Sequence, residues 1–364
     1  MGIWYAANGI FGAPAGVIFW GIAHIDVRSA LPLSPWLGIL CPVLRITPLL
    51  TNHSLANNAV FRQARGLFPY QWMFFISGVA TVLFATTLWW LLPDSPMTAG
   101  FLTPRERFVA VDRLKSNKTG IKNSTIKKPQ LIEAVRDVRV WLLLLGVFCH
   151  NMTNSLQTTF TGIIIKGFGY STYDAVLLMI PQAIVMAVTM IVSSVFLSSK
   201  WGQGKRLFTI IVLYLPGIVS TAMLYSISVT PHTKGALLFA VYFLGCVASP
   251  GGIMYSLLAS NIAGYSKKVL AGAMFFGSYC VSNIVSPQVF LARESPRYPT
   301  GIAVCLAMYG INIVVFSFLY ALYSRDNKRR DEANDGDEVD EDMELVNGFA
   351  DMTDRQNQSL RYKL

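Results

Sequence analysis

Between His150 and Thr159 the chain carries His-Asn-Met-Thr-Asn-Ser-Leu-Gln-Thr-Thr inside a run that is otherwise mostly apolar from Val140 to Ile163. On a helix, His150, Asn154 and Gln157 fall at i, i+4 and i+7, and Asn151, Asn154 and Thr158 share the adjacent face. Amide and imidazole groups on one stripe suit hydrogen bonding to the carboxylate or ureide of a small ligand. The same groups also serve as contacts between neighbouring helices, and spacing alone leaves both readings open. A second stripe, Phe276, Tyr279, Asn283 and Pro287, repeats at three and four residues. Its Tyr279 ring offers a face to a planar ligand and a hydroxyl at the edge. Gln182, beside Pro181, completes the candidate substrate-binding set of His150, Asn151, Asn154, Gln157, Gln182, Tyr279 and Asn283.

Covalent and metal chemistry have less to draw on. The five cysteines have neither CxxC nor Cys/His spacing, so they form neither a zinc site nor a disulfide framework. Asp174 is the only carboxylate near an apolar stretch, which leaves no carboxylate pair for acid-base catalysis. His150 is the one side chain within such a stretch that titrates near neutral pH. The pattern suits binding rather than an enzyme, with no catalytic residue, no metal and no cofactor.

The elements that must position these residues follow from composition. Of 364 residues, 53% are hydrophobic and 14% charged, against roughly 25% charged in a soluble domain. That excludes a water-soluble globular enzyme and points to the lipid bilayer as solvent. A spanning helix needs about 20 mainly apolar residues. Eight stretches qualify, near 3 to 23, 72 to 92, 140 to 163, 174 to 197, 207 to 229, 235 to 258, 269 to 292 and 299 to 323. The predicted fold is all-α, a polytopic membrane protein with about eight transmembrane helices. Gly245 and Pro250-Gly251-Gly252 interrupt the sixth stretch, where a tight helix crossing is favoured over a hinge.

Basic residues orient these spans, because Lys and Arg are retained on the cytoplasmic side. With the N-terminus inside, the loops at 93 to 139, 198 to 206 and 259 to 268 and the tail from Ser324 hold 22 of the 30 Lys and Arg residues. Both termini are therefore expected in the cytoplasm, and the net charge of +10 is topological, requiring no nucleic acid. Thr103-Pro104-Arg105-Glu106 has the pattern of a capped helix start. The tail from Asp326 packs twelve of the twenty acidic residues into a mostly polar segment and is predicted to be disordered.

Longer patterns are more specific. Leu92-Pro93-Asp94-Ser95-Pro96, Phe101-Leu102-Thr103, Asn117-Lys118-Thr119-Gly120-Ile121, Ile163 to Gly169, Ala259-Ser260-Asn261 with Lys267-Lys268, Tyr279-Cys280 with Asn283, Pro287-Gln288, Pro296-Arg297-Tyr298 and the closing Arg361-Tyr362-Lys363-Leu364 resemble the fungal allantoate permease branch of the anion:cation symporter family. That branch lies within the major facilitator superfamily. The resemblance implies a partial major facilitator fold, multi-pass and in the plasma membrane. It also implies secondary active, alternating-access uptake of a small organic anion or vitamin such as allantoate, nicotinate or pantothenate, coupled to protons.

The resemblance has three departures. It begins at the family's fifth helix, which implies an N-terminally truncated chain. Residues 37 to 70 form an atypical insert, read as a translated intron or gene-model error in preference to a real external loop. Where relatives carry an aspartate in the turn after the fifth span, this chain has Ser199. The expected organisation is thus a two-helix remnant of an N-terminal bundle at 1–92, a basic loop at 93–139, a six-helix bundle at 140–323 and the tail at 324–364. The alternative to a transporter is a truncated, non-transporting membrane fragment or a mispredicted gene model.

Overall fold

The computed structural model describes residues 69–91, 99–115, 126–334, 352–357 and 360–364, all of them helical or connecting, with no strand among them. The first predicted span and residues 37–68 of the insert lie outside the described residues; Pro69 and Tyr70 of that insert already belong to a helix. That helix, α1 (Pro69–Leu91), is the described helix of one compact unit, and everything from Gly100 onward belongs to another. Every described side chain of α1 is exposed, including Trp89, Trp90 and Phe84. An apolar helix with no buried face is suited to lipid or to helices outside its unit.

The second unit opens with α2 (Pro104–Lys115), whose start is the predicted capping box. The Thr103 N–H donates to Glu106 Oε2 at 2.9 Å, and the Glu106 N–H returns to Thr103 Oγ1 at 3.4 Å. A short α3 (Lys128–Arg136) leads to α4 (Val138–Met152), capped by Asp137, whose carboxylate accepts from the Arg139 N–H at 3.1 Å. Beyond Thr153 the same span continues as a π-helical turn (Leu156–Phe160) and α5 (Thr161–Gly167).

The remaining spans follow in order. α6 (Thr172–Leu178) and α7 (Ile180–Ser198) form the fourth and α8 (Arg206–Ser226) the fifth. α9 (Lys234–Phe243), a 3₁₀ turn (Leu244–Ala248) and α10 (Ser249–Asn261) form the sixth. α11 (Tyr265–Val285) and α12 (Pro299–Asn334) close the bundle. Six helices are long and apolar enough to cross a membrane among the described residues, and the 140–163 span is not one of them.

The helices pack by apolar faces and by close backbone approach. α12 lies along α8 and α4, and α4 also lies along α11. Their shared core includes Leu143, Val147, Ile210, Tyr214, Phe316 and Leu319. Opposite faces leave Val192, Val219, Val314 and Ile284 exposed, the arrangement of a bundle whose outer solvent is hydrocarbon. Gly245 supplies the close crossing read from the sequence: a Cβ there would sit 2.6 Å from the Gln182 carbonyl oxygen and 3.0 Å from the Met186 nitrogen of α7.

Two features differ from the sequence reading. α12 does not stop near residue 323 but runs 36 residues to Asn334, about 54 Å at 1.5 Å per residue, well beyond the hydrocarbon. The tail is also not uniformly unstructured: Thr353, Asp354, Asn357, Leu360 and Tyr362 are buried against the helix ends. Composition averages over a segment, whereas these few residues find specific partners.

Candidate functional site

The polar run of the third span coincides with the break in its helix. The His150 carbonyl accepts from both the Thr153 N–H at 3.2 Å and the Thr153 hydroxyl at 2.8 Å. Thr158 Oγ1 donates to the Asn154 carbonyl at 2.9 Å and Thr161 Oγ1 to the Leu156 carbonyl at 2.6 Å. Hydroxyls that bond carbonyls of the preceding turn compete with the regular ladder, and here the ladder widens to a π turn at Leu156–Phe160. Such turns are frequent at functional sites. In a membrane, irregular backbone is tolerated where it is buried in protein or lines a cavity.

The break divides the predicted stripe. His150 Nδ1 lies 2.9 Å from the Tyr214 hydroxyl of α8. Gln157 and Thr153 lie beside Tyr309 of α12. The Tyr309 ring is tilted against Tyr214 with centroids 5.7 Å apart, and its hydroxyl is buried. On the other side, Asn154 Nδ2 donates to Asn283 Oδ1 of α11 at 2.7 Å, and Asn283 Nδ2 donates to the Tyr279 carbonyl at 2.8 Å. The two sequence stripes therefore meet through Asn154 and Asn283. The Tyr279 ring stacks on Phe276 with centroids 5.8 Å apart. Ser286, also on this seam, donates to the Met152 carbonyl at 2.6 Å and accepts from the Ser155 N–H at 3.3 Å.

Asn151 and Gln182 are placed differently. Asn151 Nδ2 turns back to the Val147 carbonyl of its own helix at 2.9 Å. Gln182 is buried on α7 under the Gly245 crossing, and no hydrogen bond joins it to the others among the described residues. Asp174 starts a helix, accepting from the Ser171 hydroxyl at 2.6 Å and donating its N–H back at 3.1 Å.

Sequence reasoning missed three residues here. Tyr214 and Tyr309 look like ordinary core aromatics in apolar helices, and only their closeness to His150 and Gln157 brings them to the site. Asn312 is wholly buried on α12, and among the described residues neither of its amide atoms has a hydrogen-bond partner; a lone Asn in an apolar span was the available signal.

A cluster of charges lies at the far end of the bundle. Lys267 Nζ, on the first turn of α11 and fully buried, lies 3.0 Å from Glu133, 2.8 Å from Asp137 and 2.6 Å from Asp354. The three carboxylates would suit a cation by spacing, and the lysine ammonium already meets all three.

A bundle of membrane-length helices, with no strand among the described residues, is the architecture of a polytopic membrane protein. Residues 64–287 match the model of the Major Facilitator Superfamily, and the chain belongs to that superfamily. Among curated relatives, the allantoate permease of Saccharomyces cerevisiae is 30% identical over 299 residues, covering 80% of this chain and 54% of that protein. A thiamine pathway transporter of the same yeast is 29% identical over 296 residues, with 80% and 54% covered. An MFS-type transporter of Penicillium expansum is 28% identical over 298 residues, with 81% and 60% covered. These matches bear out the likeness to fungal permeases read from the sequence. The chain spans just over half the length of these relatives.

Proposed function

We propose that this chain is the C-terminal bundle, with part of the N-terminal one, of a secondary active transporter for a small organic anion. The observation that carries the reading is the irregular stretch of the third span from Thr153 through its π turn, which carries His150 and Gln157 to one side and Asn154, bonded to Asn283, to the other. In transporters of repeated bundles, sites near the bilayer midplane form at such discontinuous helices. Amide N–H groups there would hold a carboxylate, and the Tyr279 ring would flank a planar or extended body. Similarity to an allantoate permease and to a thiamine pathway transporter supports substrates of the size of allantoate, nicotinate or pantothenate.

Proton coupling belongs to the same proposal, with the coupling acid expected in helices that this sequence does not include. So does the domain plan: 1–92 as the N-terminal remnant carrying an insert at 37–70, 93–139 as the cytoplasmic loop and 140–323 as the bundle. The protein resides in the plasma membrane with both ends in the cytosol. The half-length coverage of the relatives supports a second reading, a membrane fragment that does not transport by itself.

Uptake of radiolabelled allantoate, nicotinate and pantothenate into yeast cells expressing the chain separates the two. The transport reading expects saturable uptake of one of them, faster at external pH 5 than at pH 7 and abolished by a protonophore. Uptake at the level of the empty vector, with the protein present at the membrane, would leave the fragment reading.

A further inference from the structure

The last described residues of the chain occupy a groove that reads an extended peptide by its main chain. Asn327 of α12 donates from Nδ2 to the Tyr362 carbonyl at 2.8 Å and accepts the Tyr362 N–H on Oδ1 at 2.9 Å. Asn261, at the end of α10, does the same to the next residue, at 3.0 Å to the Lys363 carbonyl and 2.9 Å from the Lys363 N–H. The Arg206 N–H at the start of α8 donates to the Leu364 oxygen at 2.5 Å, and Arg330 donates to the Leu360 carbonyl. Two asparagines that each pair donor and acceptor with one peptide unit make a recognition mode independent of side chains.

Two side chains add specificity. The Tyr362 ring stacks on Tyr323 at 4.7 Å, with the Arg139 and Arg330 guanidinium carbons 4.9 and 4.4 Å from its centroid. Its hydroxyl donates to Asp354 at 2.8 Å and accepts from Arg139 at 2.7 Å. Asp354 in turn reaches Lys267 at 2.6 Å, and its carbonyl accepts from Arg330 at 2.5 Å.

The charge pairing is arranged so that the segment can leave. Without it, Lys267 keeps Glu133 at 3.0 Å and Asp137 at 2.8 Å, and Arg139 keeps Asp326. Arg330 loses its partners in the segment, but it is only half-buried near the end of α12 and is open to water. The buried Lys267 is not left without a partner, the case in which breaking a buried pair is costly. The chain between Asn334 and Met352 keeps the segment tethered near its groove, at an effective concentration on the order of millimolar.

We propose that residues 352–357 and 360–364 are a detachable cis ligand, a latch seated in a peptide-binding groove that bridges the ends of α4, α8, α10, α11 and α12. The latch opens as a unit while the bundle stays folded. The groove then accepts another peptide with the same chemistry, an extended main chain carrying an aspartate and a tyrosine spaced as Asp354 and Tyr362 are. A strap across five helix ends holds them in one arrangement, so its release is a regulatory event for whatever motion the bundle makes.

Hydrogen exchange of the full chain in lipid nanodiscs tests this. The Tyr362 and Lys363 amides should be protected yet exchange ahead of α11 and α12. Tyr362→Ala, which alters the latch and no bundle residue, should speed their exchange by ~10-fold or more while bundle protection is unchanged, as expected for losing several hydrogen bonds. A fluorescent peptide of residues 352–364 should bind the Tyr362→Ala chain at least ~10-fold more tightly than the wild-type chain, whose groove is filled in cis. The proposal is overturned by a tail unprotected in the wild type, by tail and bundle exchanging together, by Tyr362→Ala unfolding the bundle, or by a peptide that does not distinguish the two chains.

Discussion

Lys267 is the residue on which most buried charge converges. Replacing it with alanine leaves Glu133, Asp137 and Asp354 facing one another, two of them almost fully buried. Breaking a buried ion pair by deleting one partner costs about 3–5 kcal/mol. Lys267→Ala should therefore lower the midpoint of thermal unfolding in detergent sharply, whereas Lys328→Ala, in an exposed pair at 3.9 Å, should leave it within a degree or two. Lys267 was missed as a structural centre because a lysine next to Lys268 at a loop edge resembles any other topological charge. The site amides were legible for the opposite reason: Asn154 and Gln157 are costly in hydrocarbon and stand out by type. Their true neighbours were not legible, because the i, i+4, i+7 argument assumes an unbroken helix and Thr153 breaks it. Thr153 looked like an off-stripe residue, and it is wholly buried at the break.

At the scale of elements, the 235–258 span was expected to cross a neighbour tightly at Gly245, and α7 is that neighbour. The obstructing atoms belong to the backbone of α7, so they cannot swing aside. Gly245→Ala should destabilise by about 1–3 kcal/mol, visible as a lower unfolding midpoint, while Gly272→Ala, with open space around its Cβ, should be neutral or slightly stabilising. The tail is where sequence reading did worst, since acidic composition says nothing about Asn261 and Asn327 waiting on other helices.

The latch also has a pH window. Burial pushes the Asp137 carboxyl up, but Lys267 and Arg139 outweigh it and hold it below the usual range. The stability this contributes is present above the ordinary aspartate value near pH 4 and is lost as pH falls through the depressed one. Burial, with Asp354 nearby, pushes the Tyr362 phenol far up. Its contribution is full below the ordinary tyrosine value of about 10 and is lost as pH rises further. The Asp137 pairs lie within the bundle and stay when the latch leaves, so the latch responds on the alkaline side: a spin label at Lys363→Cys should be immobile below about pH 10 and gain mobility as pH rises further. Constant mobility across pH 10 would contradict the buried, neutral phenol.

For the whole molecule, the structure gathers Lys127, Gln130, Glu133, the start of α11 and the tail segment at one end of the bundle. The segregation of basic residues leads us to expect that end in the cytosol. Epitope tags inserted after Gly120 and after Leu345 should both be inaccessible to antibody in intact cells and accessible once the cells are permeabilised. Tags reached from opposite faces would refute the orientation. The helical class was legible in the sequence because hydrocarbon demands long apolar runs and leaves charge at their ends, and the family because its motifs recur along the chain. Of the eight expected spans, six are seen as long apolar helices among the described residues.

The central claim is that the broken third span forms the site for an organic anion. Its most direct test is the dissociation constant of radiolabelled allantoate, nicotinate and pantothenate for the purified chain in nanodiscs, compared between wild type and Asn154→Ala. Loss of an amide donor from a desolvated site costs about 1–3 kcal/mol, roughly 5- to 150-fold in affinity. The account predicts that one of the three anions binds and that Asn154→Ala weakens it by that factor, with the lipid-facing control Val314→Ala unchanged. Binding unaltered by Asn154→Ala, or no binding of any of the three by a folded chain, would contradict it.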